Sequence, residues 1–202
     1  MLDLDEIKAA FNDYSPKMQG MEKASAVVLP IIRKDGCLCV LFEERAHGLK
    51  RQPGDICFPG GRIEQGEEPM DAALRETCEE LLLKKDRIEI ISRLDPILGP
   101  GNHFIFPYLG VIRGYDGSYF EEEVDHVFSI PLDYLMDQKP SLYRNKMTQE
   151  MPGDFPFHLV RGGRNYPFRG HTVDMYFYET DEGVIWGATS RILRRFLEIL
   201  RQ

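Results

Sequence analysis

A glycine pair, a short loop and an acidic helix occupy Gly60 to Lys85 (GGRIEQGEEPMDAALRETCEELLLKK), and this stretch constrains the fold more than any other. Pro69 opens the helix at a first-turn position, where its missing N–H costs no intrahelical bond. Lys84 or Lys85 closes it with the positive charge suited to a C-terminus. At about 100° per residue, Met70, Leu74, Cys78 and Leu81 fall on one apolar stripe, which needs a sheet to pack against. Glu76, Glu79 and Glu80 share a different arc, spaced i, i+3 and i+4. Such like-charge pairs disfavour a helix by roughly a few tenths of a kcal/mol each, and Arg75 relieves them only in part through its i, i+4 neighbour Glu79. Two readings of the arc are open. It is either a solvated acidic face, the usual meaning of such a run, or a set of hard oxygen ligands converging on Mg²⁺ or Mn²⁺. Gly60-Gly61 favours the second, since a flexible glycine turn lets backbone approach a ligand closely.

The rest of the chain supplies the sheet. Ala24 to Ile32 is a β-rich run, Lys34-Asp35-Gly36 a turn signal and Cys37 to Phe42 a second apolar run, together a hairpin. Further strands are predicted at Ile88 to Arg93, Phe104 to Ile112, Val124 to Ile130, Val173 to Tyr178 and Gly183 to Trp186. Asp133 to Met136 reads as a short helix and Thr189 to Leu200 as a longer amphipathic one. Hairpin-length links alternate with crossovers, so the fold class is α/β, a mixed sheet with helices on its faces. No repeat or linker is visible, which gives a single domain over 1–202. Within it, 1–20 reads as an N-terminal helical extension and 141–171 as an irregular basic insertion. Pro152, Pro156 and Pro167 oppose long regular elements there, while Arg144, Lys146, Arg161, Arg164 and Arg169 face only Glu150 and Asp154.

The 33 acidic residues against 25 basic ones give a net charge of −8, which argues against a nucleic-acid partner. It leaves room for a small anion held by local cations or by a metal. The N-terminus mixes acids with apolar residues and does not read as a signal peptide. No window approaches the roughly 18 to 20 apolar residues of a membrane span. Cys37, Cys39, Cys57 and Cys78 lack the paired spacing of a zinc site and read as buried free thiols, as expected in a reducing cytoplasm.

Gly61, Glu67, Arg75-Glu76 and Glu79-Glu80 stand at the spacing of the Nudix signature, and on these residues the chain resembles the Nudix hydrolases. Thr77 stands where an aliphatic residue is usual and Leu82 where a glycine is usual; neither removes a carboxylate. The resemblance implies a Nudix-type α/β/α sandwich with N- and C-terminal helices. It also implies hydrolysis of a diphosphate linked to another moiety, with Mg²⁺ or Mn²⁺ as cofactor. Glu76, Glu79 and Glu80 become metal ligands, the Gly61 carbonyl a further one, and Glu67 with Arg75 the structural pair bracing loop against helix. Bound metal acidifies a water for in-line attack on phosphorus, and one glutamate accepts the proton. Glu80 is the first choice for that base, with Glu76 and Glu79 as rivals.

Upstream, Leu41-Phe42-Glu43-Glu44-Arg45-Ala46, Lys50, Gly54 and Phe58-Pro59-Gly60-Gly61 are similar to the pattern of coenzyme A pyrophosphatases within that family, as is Ile185 to Leu193. Lys50, with Arg51 adjacent, stands where arginine is usual, and Glu43 replaces a threonine. The resemblance implies coenzyme A or an acyl form as substrate, cleaved to phosphopantetheine and adenosine 3',5'-bisphosphate. Arg45, Lys50, Arg51 and Arg62 are then the substrate-binding cations, since a guanidinium offers phosphate a planar fork. A solvated loop is the plain alternative for the first three. Trp186 reads as core packing and His103 as an incidental loop histidine. A hydrolase of another nucleoside diphosphate such as ADP-ribose, and a non-catalytic nucleotide-binding module, are the competing functions. The partner is a small-molecule diphosphate, without nucleic acid or membrane; a homodimer is compatible, though no residue pattern marks an interface. Metal reverses the local sign of an acidic site, so net charge does not exclude phosphate.

Overall fold

The computed structural model describes residues 3–14, 20 and 23–202. Helix α1 (Leu4–Phe11) is held by its own capping box: the Asp3 carboxylate accepts the N–H groups of Asp5 and Glu6, and Glu6 accepts the N–H of Asp3. None of its residues is buried. The fold proper begins with strands β1 (Lys23–Lys34) and β2 (Cys37–Arg45). Asp35 and Gly36 both take positive φ, 51° and 82°, the geometry that lets a two-residue turn follow the twist of its strands. The predicted hairpin is thus present, with Lys34 opposite Cys37.

Next come β3 (Ile56–Cys57), β4 (Gly60–Arg62), helix α2 (Pro69–Glu80), β5 (Ile88–Arg93), β6 (Ile97–Gly99), β7 (His103–Ile112), β8 (Val124–Pro131) and helix α3 (Leu132–Asp137). The chain continues through β9 (Ser141–Met147), β10 (His171–Thr180) and β11 (Gly183–Ile185) to helix α4 (Gly187–Leu200). Strand β1 is central. It pairs antiparallel with β2 and β4 on one side and parallel with β7 on the other, so the sheet is mixed. Its alternation divides two layers: Ala26 and Val28 pack with Ala72 and Ala73 of α2, while Leu29 and Ile31 join Ile192, Leu193, Phe196 and Leu197 of α4. The result is the expected α/β/α sandwich. Among the described residues no helix is long and apolar enough to cross a membrane.

Several expectations change. Gly60 and Gly61 do not form a flexible turn. They are strand residues opposite Val27 and Ala26, and the absence of a side chain is a packing requirement. A Cβ on Gly60, whose φ is 144°, would overlap the Ala26 carbonyl, and one on Gly61 would overlap the Glu76 carboxylate. Helix α2 ends at Glu80, not at Lys84 or Lys85. Leu82 takes φ 50° and the Leu83 N–H donates to the Cys78 carbonyl at 3.0 Å, a Schellman closure that usually has glycine in the left-handed position. Met70 is 43% exposed and leaves the apolar stripe, because Ala72, Ala73, Leu74 and Leu81 make the buried face. Thr77 is also fully buried, and its hydroxyl has no protein partner.

The insertion is partly regular. Ser141 to Met147 form β9, because β10 extends back to His171 and pairs with it antiparallel; the prolines fall after this strand. Of the cysteines, all free, Cys37 is exposed at the hairpin tip and only Cys39 is buried. Trp186 is 41% exposed and stacks on Phe177 at 6.1 Å instead of entering the core.

Gly60→Ala is expected to destabilise the protein by about 3 kcal/mol, combining overpacking with backbone strain. Gly66→Ala, at a positive φ with open space around it, is expected to cost only about 1 kcal/mol. Urea unfolding of the two variants checks this; equal losses would contradict the close approach of β4 to β1.

Candidate functional site

The loop 62–68 is fastened to α2 by one arginine. Arg75 Nε donates to Glu67 Oε1 at 2.9 Å and Nη2 to Oε2 at 3.0 Å, a bidentate pair. Its Nη2 also donates to the Arg62 carbonyl at 3.1 Å, and Nη1 to Glu76 Oε1 at 2.8 Å. Glu79 Oε2 lies 3.6 Å from the same Nη1. Glu67 further accepts the Glu64 N–H at 2.9 Å. These hydrogen bonds, the Arg75 bonds first, hold Glu67 below the ordinary carboxylate range. The signature residues Glu67, Arg75, Glu76 and Glu79 are therefore in one hydrogen-bonded and ionic cluster.

Glu80 sits deeper. It is 3% exposed, and its Oε2 accepts the Gly60 N–H at 2.7 Å. Burial pushes its carboxyl well above the usual range, with the charge of Glu43 adding to the rise and the Gly60 bond opposing it. Glu76 is raised by burial too, against the lowering influence of Arg75. Glu79 is the outward member of the three, with its side chain 61% exposed.

Glu43, which the signature does not include, is 1% exposed. Burial lifts its carboxyl to about 7, although the Cys57 thiol donates to Oε1 at 3.2 Å and Arg45 lies near enough to lower it. Glu43 Oε2 and Arg45 Nε are both buried without a protein partner. Sequence reasoning noted the residue as a departure and did not place it in the site. The available signal was alternation: Cys39 and Leu41 pack under α2, and Glu43 continues that face.

Of the predicted substrate cations, only Arg45 is brought to the carboxylates. Lys50 and Arg51 are exposed on the loop between β2 and β3, and Arg62 is exposed on β4. His103 is half-buried and shares a 2.8 Å hydrogen bond with the Ser25 hydroxyl; burial, then the charges of Lys23 and Arg51, hold its imidazole below the ordinary range. Glu123 is exposed, yet its charge reaches both Glu43 and Glu76. A separate cluster surrounds Glu44. Its carboxylate lies 3.3 Å from His47 Nε2 and 4.0 Å from His126 Nδ1, and Asp125 is 3.3 Å from that same Nδ1. Arg161, Arg164 and Arg169 are not in the site; Arg164 stacks over Phe157 within the insertion.

The donor set fits a divalent cation. It consists of carboxylate oxygens, which suit hard cations, and buried Glu43 and Glu80 have too few donors for their charge. The NUDIX domain profile matches residues 21–151. The chain is 32% identical over 158 residues to the peroxisomal coenzyme A diphosphatase of Mus musculus, covering 73% of this chain and 64% of that protein. It is 28% identical over 189 residues to the mitochondrial coenzyme A diphosphatase of Homo sapiens, covering 91% and 72%. A crystal structure of a MutT/nudix family protein from Enterococcus faecalis shares the fold, with a TM-score of 0.50 at 15% identity over 100% of this chain and 71% of that one. The chain belongs to the Nudix hydrolase family. It spans less than two thirds of the mouse relative. Family members act on small-molecule diphosphates with divalent metal ions.

The raised carboxyls set a pH dependence for the metal-free protein. Relative to the ordinary value of 4.5, a raised group contributes its full stability below that value and loses it as pH climbs through the folded value, about 7 for Glu43. The lowered Glu67 acts oppositely, but only under acid conditions below its ordinary value. Melting temperature after chelation is therefore expected to fall between about pH 5 and about pH 8. Added Mn²⁺ is expected to restore it at the upper end. A flat metal-free profile would contradict the burial of these charges.

Proposed function

We propose that the protein is a metal-dependent pyrophosphohydrolase that splits the diphosphate of coenzyme A or acyl-CoA. The products are phosphopantetheine, or its acyl form, and adenosine 3',5'-bisphosphate. One observation carries this reading. The Arg45 guanidinium, with Nε buried and unpartnered, lies beside the buried carboxylates Glu43 and Glu80. An anion-binding group and the donors for a cation thus meet at the end of one strand, as a metal–diphosphate complex requires. The names of the mouse and human relatives support coenzyme A as the substrate class.

Glu76, Glu79 and Glu80 hold Mg²⁺ or Mn²⁺, with the Gly61 carbonyl available as a further donor. When bound, the metal neutralises phosphate charge and acidifies a water. The remaining work falls to side chains of this chain. Glu67 fixes the Arg75 guanidinium, and Arg75 in turn orients Glu76 through its 2.8 Å bond. Arg45 binds the diphosphate, while Lys50, Arg51 and Arg62 serve the additional ribose phosphate that distinguishes coenzyme A. The attacking water gives its proton to one of the three helix glutamates, Glu80 being the first choice. The sandwich and its 141–171 insertion act as one hydrolase unit, with α1 as an outer extension.

Incubation with coenzyme A or ADP-ribose and Mn²⁺ or Mg²⁺, followed by separation of products, tests the substrate. Coenzyme A is expected to be cleaved in preference. Cleavage of ADP-ribose alone would overturn the coenzyme A assignment. Glu80→Gln is expected to lower turnover by at least ~100-fold while leaving the metal-free melting temperature equal or higher, because it removes a buried charge. A large drop in that temperature would show a structural role instead.

A further inference from the structure

Glu43 is the most deeply buried charged side chain among the described residues, deeper than Glu80 at 1% against 3% exposure. Its place follows from strand alternation. Cys39 and Leu41 of β2 pack beneath α2, whereas Val40 and Phe42 face α4. Glu43 therefore points toward α2, at the end of the strand where Arg45 and Glu80 lie. Cys57 is its cross-strand partner in the register, and the thiol donates to Oε1 at 3.2 Å. That bond fixes the carboxylate and occupies one oxygen. Oε2 has no protein partner.

Packing does not account for such a residue. A buried carboxylate with an unused oxygen is costly to desolvate, and a small neutral side chain fills a sheet position at no such cost. Nor does Arg45 satisfy it, for the Arg45 Nε is itself buried and unpartnered. One orphan atom seeks a cation and the other an anion. A divalent cation carrying phosphate oxygens supplies both. Glu43 is held by the Cys57 thiol at 3.2 Å and Glu80 by the Gly60 N–H at 2.7 Å, donors three residues apart. The two carboxylates are thus anchored to the same short stretch of chain, and the charge of Glu43 acts on Glu80.

We propose that Glu43 is a further ligand of the divalent cation held by Glu80, with Oε2 as its donor and the Cys57 thiol orienting it through Oε1. This rests on the metal-dependent reading of the site but not on the identity of the substrate. Glu43 makes the cation site richer in carboxylate than the helix signature alone provides. It thereby links metal binding to β2, the strand that also carries Arg45.

Mn²⁺ binding to the chelated protein, followed by calorimetry and by the spin-resonance signal of free Mn²⁺ without substrate, tests the proposal. Glu43→Gln and Glu43→Thr are expected to weaken the tightest site about tenfold or more. Cys57→Ser, which keeps a donor, is expected to stay within about twofold of the unaltered protein, and Cys57→Ala to weaken binding. Glu43→Thr leaves a small neutral residue under α2, so it decides the matter if Glu43→Gln does not fold. Unchanged affinity and stoichiometry in the Glu43 variants would overturn the proposal. Failure of the unaltered protein to bind Mn²⁺ at all would overturn the metal reading beneath it, whereas failure to cleave coenzyme A touches neither.

Discussion

The hydrogen bond from the Gly60 N–H to Glu80 Oε2, at 2.7 Å, joins the sheet to the functional end of α2, and the rest of the site depends on the contact that makes it possible. Strand β4 is pressed between β1 and the helix with no space for side chains at Gly60 or Gly61. One glycine lies against the β1 backbone, and the next lies against the Glu76 carboxylate. The helix approaches so closely because its own sheet-facing residues are small: Ala72 and Ala73 meet Ala26, and all three are fully buried. The glycine pair and the alanine face are thus one packing solution. It brings Glu76 and Glu80, one turn apart, to the same strand.

Positive charge is distributed unevenly around this contact. Arg75 makes hydrogen bonds to Glu67 and Glu76 and an ionic contact to Glu79. Its carboxylates are accordingly paired, and through Glu67 and the Arg62 carbonyl Arg75 fastens the loop to α2. Glu80 has a single backbone donor, and Glu43 has a single thiol donor. Those two are the most buried charges, in surroundings where an unpaired carboxylate is far more costly than at the surface. The fold therefore completes its structural ion pairs around the loop and leaves its deepest carboxylates short of positive charge. A cation bound there would relieve that deficit and so link stability to ligand binding at the same atoms.

Much of this was legible in the sequence where a local pattern matched its cause. Asp35-Gly36 marked the hairpin because both positions need positive φ. The long strands showed themselves by alternation, and the carboxylate arc by helical spacing. What escaped was short or non-local. Strands β3, β4 and β6 are too brief to display a period, and β9 exists through its pairing with the extended β10. The end of α2 was missed because Leu82 occupies a left-handed position that glycine would have announced. Met70 left the apolar stripe because Ala72 and Ala73, too small to register as strongly hydrophobic, form the packed face. Spacing identified Glu67 and Arg75 only through resemblance, since no periodicity relates a loop glutamate to a helix arginine. Glu43 was visible as a departure, yet its burial follows only when the β2 alternation is carried past Leu41.

The net charge of −8 has a different meaning at each place. Glu121 and Glu122 are exposed and solvated. Glu123 is exposed as well, but its charge acts on Glu43 and Glu76, so the end of that acidic run belongs to the field of the site. Around the site, Glu43, Glu76, Glu79, Glu80 and Glu123 outnumber Arg45 and Arg75. A diphosphate approaching this field alone meets net repulsion, whereas a divalent cation is drawn to it. A held cation would reverse the local sign, and in the proposed function the buried Arg45 Nε, which has no protein partner, would then be a directed donor to the same anion. On the proposed function, an acidic chain would bind a phosphate by collecting cations first, an order set by where the carboxylates are buried and not by the overall charge.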